Sequence, residues 1–283
     1  MGMTIRDTML VLTTYPTPTT TDVIGYAVSF AKLMESRISC FAPKIQIKVP
    51  STLFGASLIN VPAMAAREMK KSEDNVHSLL KVFETEADKL GVRHEIVHEH
   101  GLVAELPTLA AEYARFRDLT ILPVNFDDFV NRWDAEAVIF KSGRPTLLIP
   151  EGRVPKTAAL NAVAVAWDYS RAAARAISDA IPVLQRAKTV HVVTVLHEKS
   201  FDVRRKTHDI GAYLARHDIT ALTYQIDAAG RPIEDVLHQF IDQDRIDLLV
   251  MGAYGHSRLR EFVLGGATRS MLANPPIPLL LSH

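Results

Sequence analysis

Asp247-Leu-Leu-Val-Met251, continuing as Gly252-Ala-Tyr-Gly255-His-Ser-Arg-Leu-Arg-Glu-Phe-Val-Leu-Gly265-Gly266-Ala-Thr268, is the stretch whose reading decides the fold. Its opening run is short, apolar and led by an acid, which predicts a strand buried on both faces. The glycine-punctuated segment after it leads into a helical pattern near Ala267 to Ala273. A buried strand passing through glycines into a helix is where open parallel α/β sheets bind ligands. Glycine lets the backbone turn sharply and approach a ligand with no Cβ in the way. The N–H groups of Gly266, Ala267 and Thr268 at a helix N-terminus favour an anion, phosphate being the obvious one. As residues alone, the same glycines fit a ligand-free tight turn and helix start equally well.

Upstream, the runs Asn161 to Trp167, Thr189 to Leu196 and Ala221 to Asp227 read as strands. Between them lie helical patterns at Ser170 to Arg186, with Ser170 as N-cap, around Val203 to His217, and at Pro232 to Asp244. A last strand is expected at Pro278 to Leu281. Strands that alternate with helices and are apolar on both faces imply a parallel sheet covered on both sides. The first half repeats the scheme, with strands at Met9 to Thr13, Ile38 to Ala42 and Asp118 to Pro123 and a helix from Asp22 to Glu35. Its close, Pro145-Thr-Leu-Leu-Ile-Pro150, rhymes with Pro278-Leu-Leu-Leu-Ser-His283. A tandem duplication accounts for this, with domains 1–152 and 153–283 and the Pro, Gly and charge-rich 150–156 segment as linker. The apolar closing runs are expected at sheet edges that pair with each other. The long apolar connection from Pro43 to Met64, entering a helix that runs to Leu90, is expected to cover an interface or, less readily, a ligand.

Composition narrows the function classes. The 283 residues carry 32 basic and 32 acidic side chains, which disfavours a nucleic-acid partner, since a phosphate backbone calls for a concentrated basic surface. Cys40 is the single cysteine, so no intrachain disulfide and no Cys-based zinc site is expected. Met1 to Leu12 lacks the apolar core of a signal peptide, and no apolar run approaches the roughly 20 residues that span a bilayer. The expectation is a cytoplasmic protein with no membrane insertion.

The spacing of the opening stretch, Gly, two residues, Gly, nine residues, Gly, then a small residue, resembles the nucleotide-binding signature of the universal stress protein family. The resemblance runs over the whole second half and, more faintly, over the first. It implies a fold class of two tandem open parallel-sheet α/β domains, Rossmann-like and of the adenine-nucleotide-binding type, related by pseudo-twofold symmetry. It also implies ATP or another adenine nucleotide as ligand, with or without magnesium, and an unidentified regulatory partner. In nucleotide-binding members the first strand ends in an acid facing the nucleoside, matched here by Asp168, and the second strand supplies an apolar residue beside the base, matched by Val195. The implied binding set is Ala166, Trp167, Asp168, Val195, Met251, Gly252, Gly255, His256, Gly265, Gly266, Ala267 and Thr268. Gly266 stands where the family has Ser or Thr, with Thr268 as the nearby hydroxyl, and Trp167 is bulkier than its usual counterpart. As a residue alone, Asp168 also fits a simple helix cap.

The first half lacks these features. Thr14 is placed where Asp168 stands in the second, and the strand ending at Pro123 runs into Val-Asn-Phe-Asp127-Asp128 with no glycine. Pro123 removes an amide donor and the two acids repel phosphate, so this half is expected to be a structural or pairing partner. His94, His98 and His100 share parity along an expected strand, which reads as a solvated face rather than a metal site. Ser257 lacks the closing glycine of a nucleophile elbow. With no placed nucleophile, general base or metal set, the expected role is nucleotide binding and regulation without catalysis, weak ATP hydrolysis being the catalytic alternative. A ligand-free dimerisation or interaction protein of the same fold is the runner-up.

Overall fold

The computed structural model describes residues 4–49, 60–125, 129–155, 157–196, 208–253, 270–271 and 274–283. The first half runs β1 (Asp7–Val11), α1 (Thr21–Leu33), β2 (Arg37–Phe41), β3 (Lys44–Gln46), α2 (Val61–Leu90), β4 (His94–Val97), β5 (His100–Leu102), α3 (Leu106–Ala114), β6 (Leu119–Val124), α4 (Phe129–Lys141) and β7 (Thr146–Pro150). The second runs β8 (Ala162–Ala166), α5 (Arg171–Leu184), β9 (Thr189–Leu196), α6 (His208–Ala215), β10 (Ala221–Asp227), α7 (Ile233–Gln243), β11 (Leu248–Gly252) and β12 (Leu279–Ser282).

Ten of these strands form one sheet, in the order β10-β9-β8-β11-β12-β7-β6-β1-β2-β4, while β3 and β5 pair apart from it. Neighbours in the large sheet are parallel except where β12 meets β7, which is antiparallel. Because the central strands carry apolar residues on both faces, each face needs its own cover. One is covered by α1, α2, α5 and α6 through Val23, Phe30, Phe83, Ile177 and Leu214. The other is covered by α3, α4 and α7 through Ala111, Val138, Leu237 and Phe240. Among the described residues, no helix is long and apolar enough to cross a membrane.

A matched pair of acids rules off the two halves against each other. Asp118 Oδ2 accepts from the N–H groups of Arg6 at 2.8 Å and Asp7 at 3.1 Å, and Asp247 Oδ2 accepts from those of Asn161 at 2.6 Å and Ala162 at 3.1 Å. Each carboxylate, placed just ahead of a strand, satisfies amides at the start of the neighbouring strand that lie beyond the ladder. Asp7 therefore corresponds to Ala162, and Pro123 to Gly252. Strand register carries the match onward: Ile121 lies beside Leu147 and its counterpart Val250 beside Leu280, so Leu147 corresponds to Leu280, and these two residues face each other in the antiparallel pair, flanked by Leu148 with Leu279 and Thr146 with Leu281. The pseudo-twofold axis passes through the Leu147–Leu280 pair.

Two expectations are corrected. Thr13, not Thr14, occupies the place of Asp168, since Leu12 N–H donates to Phe41 O as Trp167 N–H donates to Val193 O, both at 2.8 Å. Thr14 instead turns inward, its hydroxyl donating to Pro43 O at 2.6 Å. The single strand expected through His94, His98 and His100 is broken, with His94 in β4 and His100 in β5 of a different sheet, so their shared parity does not put them on one face. The end of the chain's long helix is set by Gly91, whose φ of 63° lies in the left-handed region that glycine enters without a Cβ penalty.

Candidate functional site

Strand order in the second half reverses between β8 and β11, with β9 and β10 on one side and β12 on the other. The carboxyl ends of β8, β9 and β11 border this switch, the position where open α/β sheets hold ligands. Six of the twelve expected binding residues are described here. Ala166 closes β8, with Trp167 and Asp168 following it; Val195 lies near the end of β9; Met251 and Gly252 close β11. Gly255, His256, Gly265, Gly266, Ala267 and Thr268 lie outside the described residues.

Strand alternation sorts the six. Ala166, Val195 and Met251 turn to the face covered by α7, where all three join one apolar cluster. Trp167 turns to the opposite face, packing on the core beneath α5 and α6 and tilting against Tyr169 with ring centroids 5.4 Å apart. It therefore does not stand in the apolar wall formed by Ala166 and Val195. Its indole Nε1 is buried and has no hydrogen-bond partner among the described residues.

Asp168 is exposed at the turn from β8 into α5. Its Oδ1 accepts from Ser170 N–H at 2.9 Å, and Ser170 Oγ in turn accepts from Ala173 N–H at 3.0 Å as the N-cap of α5. Between them Tyr169 adopts φ of 62°, a left-handed conformation that costs a non-glycine residue of order 1 kcal/mol and marks a tightly constrained turn. The helix-cap reading of this segment is thus realised by Ser170, and Asp168 braces the turn.

Gly252 has a reason to be glycine that involves no ligand. A Cβ there would lie 2.5 Å from the backbone carbon of Ala172 and 2.5 Å from the amide nitrogen of Ala173. Absence of a side chain is what lets β11 end against the first turn of α5.

The matching edge of the first half holds an open crevice of about 610 Å³ including its mouth. Its walls include Val11, Thr13, Phe41, Pro43, Leu106 and Leu122, and among the described residues no charged side chain lines it. Pro123 contributes to it at the place of Gly252, so the described lining offers neither the amide donor at that place nor the positive charge that a polyphosphate requires. Nothing in the sequence pattern distinguished this lining from ordinary core.

A second, wider groove runs beside β3 and α2 past His98, Glu99 and His100. There Glu73 accepts from Lys44 Nζ at 2.9 Å and from Lys70 Nζ at 3.4 Å, and those two hydrogen bonds hold its carboxyl below the usual range. Tyr113 donates its hydroxyl to Glu99, a bond that pushes the phenol up. His94 is placed elsewhere, edge-on to Phe83. Among the described residues, no group of three or more His, Cys, Asp or Glu side chains is placed to hold a metal ion.

The architecture defines the class: an open, mostly parallel α/β protein of Rossmann-like type whose second half presents its switch-point edge as the candidate ligand site. Residues 160–283 match the family model described as the universal stress protein family. A universal stress protein of Synechocystis is 43% identical over 47 residues, a match that spans 17% of this chain and only 16% of that relative. Among solved structures, the fold is similar to that of a universal stress protein from Archaeoglobus fulgidus, with a TM-score of 0.70 at 15% identity over 98% of this chain and 95% of that one. It is also similar to a functionally unknown protein of Pseudomonas aeruginosa, with a TM-score of 0.60 at 14% identity over 98% and 92% of the two chains. At these identities the two structures speak for the fold alone.

Proposed function

We propose that the chain is a two-copy universal stress protein that binds one adenine nucleotide, ATP or a relative of it, on the second half and acts as a regulator in the cytoplasm rather than as a catalyst. The observation that carries this reading is the meeting of Asp168, Val195 and Gly252 at the switch between β8 and β11, directly ahead of the sequence Gly255 to Thr268 with its glycine spacing. Asp168 can accept hydrogen bonds from the nucleoside, Ala166 and Val195 offer an apolar wall to the base, and the glycine segment offers amides to phosphate. The first half serves as the pairing partner, since among the described residues its corresponding crevice carries no charged side chain.

Calorimetric titration of the full chain with ATP tests the proposal. The expected result is saturable binding with a stoichiometry near one per chain, weakened in Asp168→Ala. A stoichiometry near two would refute the asymmetry between the halves. Absence of binding across adenine nucleotides would favour the ligand-free interaction protein, a reading that gains some support from the close packing of Gly252 on α5, which needs no ligand to explain the glycine.

A further inference from the structure

We infer that the crevice at the carboxyl edge of the first half is a second ligand site, one that takes a small uncharged molecule built on an aromatic ring and turns phosphate away. Such a site needs no nucleotide on the second half.

The crevice occupies the first half's own switch point. Strand order there reverses between β1 and β6, with β2 and β4 on one side and β7 on the other, and Val11, Phe41 and Leu122 bring the carboxyl ends of β1, β2 and β6 to its walls. Its lining residues are all among the described ones. Strand register ties these walls to the second half. Val11 lies beside Phe41 as Ala166 lies beside Val193, and Leu10 lies beside Ile121 as Val165 lies beside Val250. Val11, Pro43 and Leu122 are therefore the counterparts of Ala166, Val195 and Met251, which share one apolar cluster at the other site.

What surrounds that wall has changed in one direction. Thr13 stands for Asp168 and Pro123 for Gly252, so a carboxylate gives way to a hydroxyl, and a glycine amide to a ring with no N–H. Pro43 and Pro107 remove two further amide donors, and with Pro123 and Phe41 they set four rings around the space. The start of α3 contributes Leu106 and Pro107, and the residue ahead of them is the exposed Glu105. An anion approaching this helix N-terminus would meet a carboxylate, which opposes the attraction of the helix dipole.

The polar groups at the rim are engaged within the protein. Thr13 N–H donates to Thr19 Oγ1 at 2.9 Å, and Thr13 O accepts from Thr19 N–H at 2.9 Å. Thr14 O accepts from Asn75 Nδ2 at 2.9 Å, and Pro43 O accepts from the Thr14 hydroxyl at 2.6 Å. A crevice whose polar borders are already paired offers water few partners, and apolar sites of that kind stay poorly hydrated and accept apolar guests. At about 610 Å³ with its mouth, it falls in the size range of small-molecule sites, roughly 300–1,000 Å³. Val103, 36% exposed, lies on the lining and so marks where the crevice opens to solvent. Ring-lined walls suit a flat aromatic guest, which gains from tilted or offset ring contact, as Phe41 already does against Tyr113 with centroids 5.5 Å apart.

The test titrates the full chain with indole as an uncharged aromatic probe, with and without excess ATP, and follows the methyl resonances. The expected result is saturable binding of about millimolar Kd or tighter, with shifts at Val11, Leu122 and Val138 that persist when ATP is present. Val103→Trp places a bulky side chain at the mouth and should weaken indole about tenfold or more, whereas Val103→Leu keeps an apolar mouth and should stay within about threefold. Thermal unfolding of both variants shows whether the fold is intact. Absence of saturable indole binding, shifts centred on Ala166, Val195 and Met251 instead, displacement of indole by ATP, or unchanged affinity in a folded Val103→Trp overturns the inference. If Val103→Trp does not fold, the shift map of the wild type decides by itself.

Discussion

Replacing Gly252 by alanine tests the most constrained contact of the second half. The added Cβ would sit 2.5 Å from two backbone atoms of Ala172 and Ala173 and 2.8 Å from the Cβ of Ala172, whereas relaxed carbon contacts lie at about 3.5–4.0 Å. Either α5 or the end of β11 must move by about 1 Å. Overpacking of this kind costs roughly 1–3 kcal/mol. The atoms displaced include the amide of Ala173, which donates to Ser170 Oγ at 3.0 Å, so the N-cap of α5 is strained at the same time, a loss of about 1 kcal/mol. The sum, roughly 2–4 kcal/mol, corresponds to a fall in melting temperature of about 5–15 °C for a chain of this size. Thermal unfolding without ligand measures it. Adding Ala172→Gly removes the contact at 2.8 Å and leaves both backbone contacts, so it should restore less than half of the loss. A melting temperature within about 1 °C of the wild type, or full rescue by Ala172→Gly, would refute the packing argument.

Two further outcomes rest on burial in the first half and on the cap of α5. Burial pushes both the Cys40 thiol and the Tyr26 phenol up, the charges of Glu84 and Asp247 adding to the respective effects. Both groups stay neutral in the folded chain at pH values where they ionise when unfolded, so stability is complete below pH 9.0, the ordinary thiol value, and falls as pH rises. The slope is about 1.4 kcal/mol per pH unit for each group above its own ordinary value, and urea midpoints between pH 8 and 11 should decline less steeply in Cys40→Ala; identical slopes would exclude the thiol as a cause. Ser170→Ala should cost about 1 kcal/mol through the lost cap of α5, measurable by urea unfolding, and no loss would mean that the turn at Asp168 and Tyr169 carries the helix start by itself.

The strands legible in the sequence were those whose apolar runs have polar ends. Thr189–Leu196 and Ala221–Asp227 begin and end where the residue pattern places them, and Ser170 caps α5 as a serine ahead of an apolar helical stripe should. Three-residue strands leave no such trace, so β3 and β5 are invisible inside polar and mixed sequence. The histidine run misleads for the same reason, because nothing in alternation announces that the chain leaves one sheet after Val97 and joins another at His100. Aligning Thr14 rather than Thr13 with Asp168 is a one-residue slip of the kind that only a ladder can settle, here the amide bonds to Asp118 and Asp247. At the candidate site the glycine pattern is plain in one dimension, but it does not say that Gly252 faces Ala172.

The Leu147–Leu280 contact has a further consequence. Where two separate chains meet along such a strand pair, dilution dissolves the pair, and every substitution appears on both sides at once. Here both strands belong to one polypeptide, so the partner is present at a fixed effective concentration, of millimolar order for a short flexible connection, and the join persists however scarce the protein becomes. Covalent linkage also lets each side mutate alone. Pro123 can stand in one half while Gly252 holds the matching place in the other, which a symmetric pair of identical subunits could never achieve.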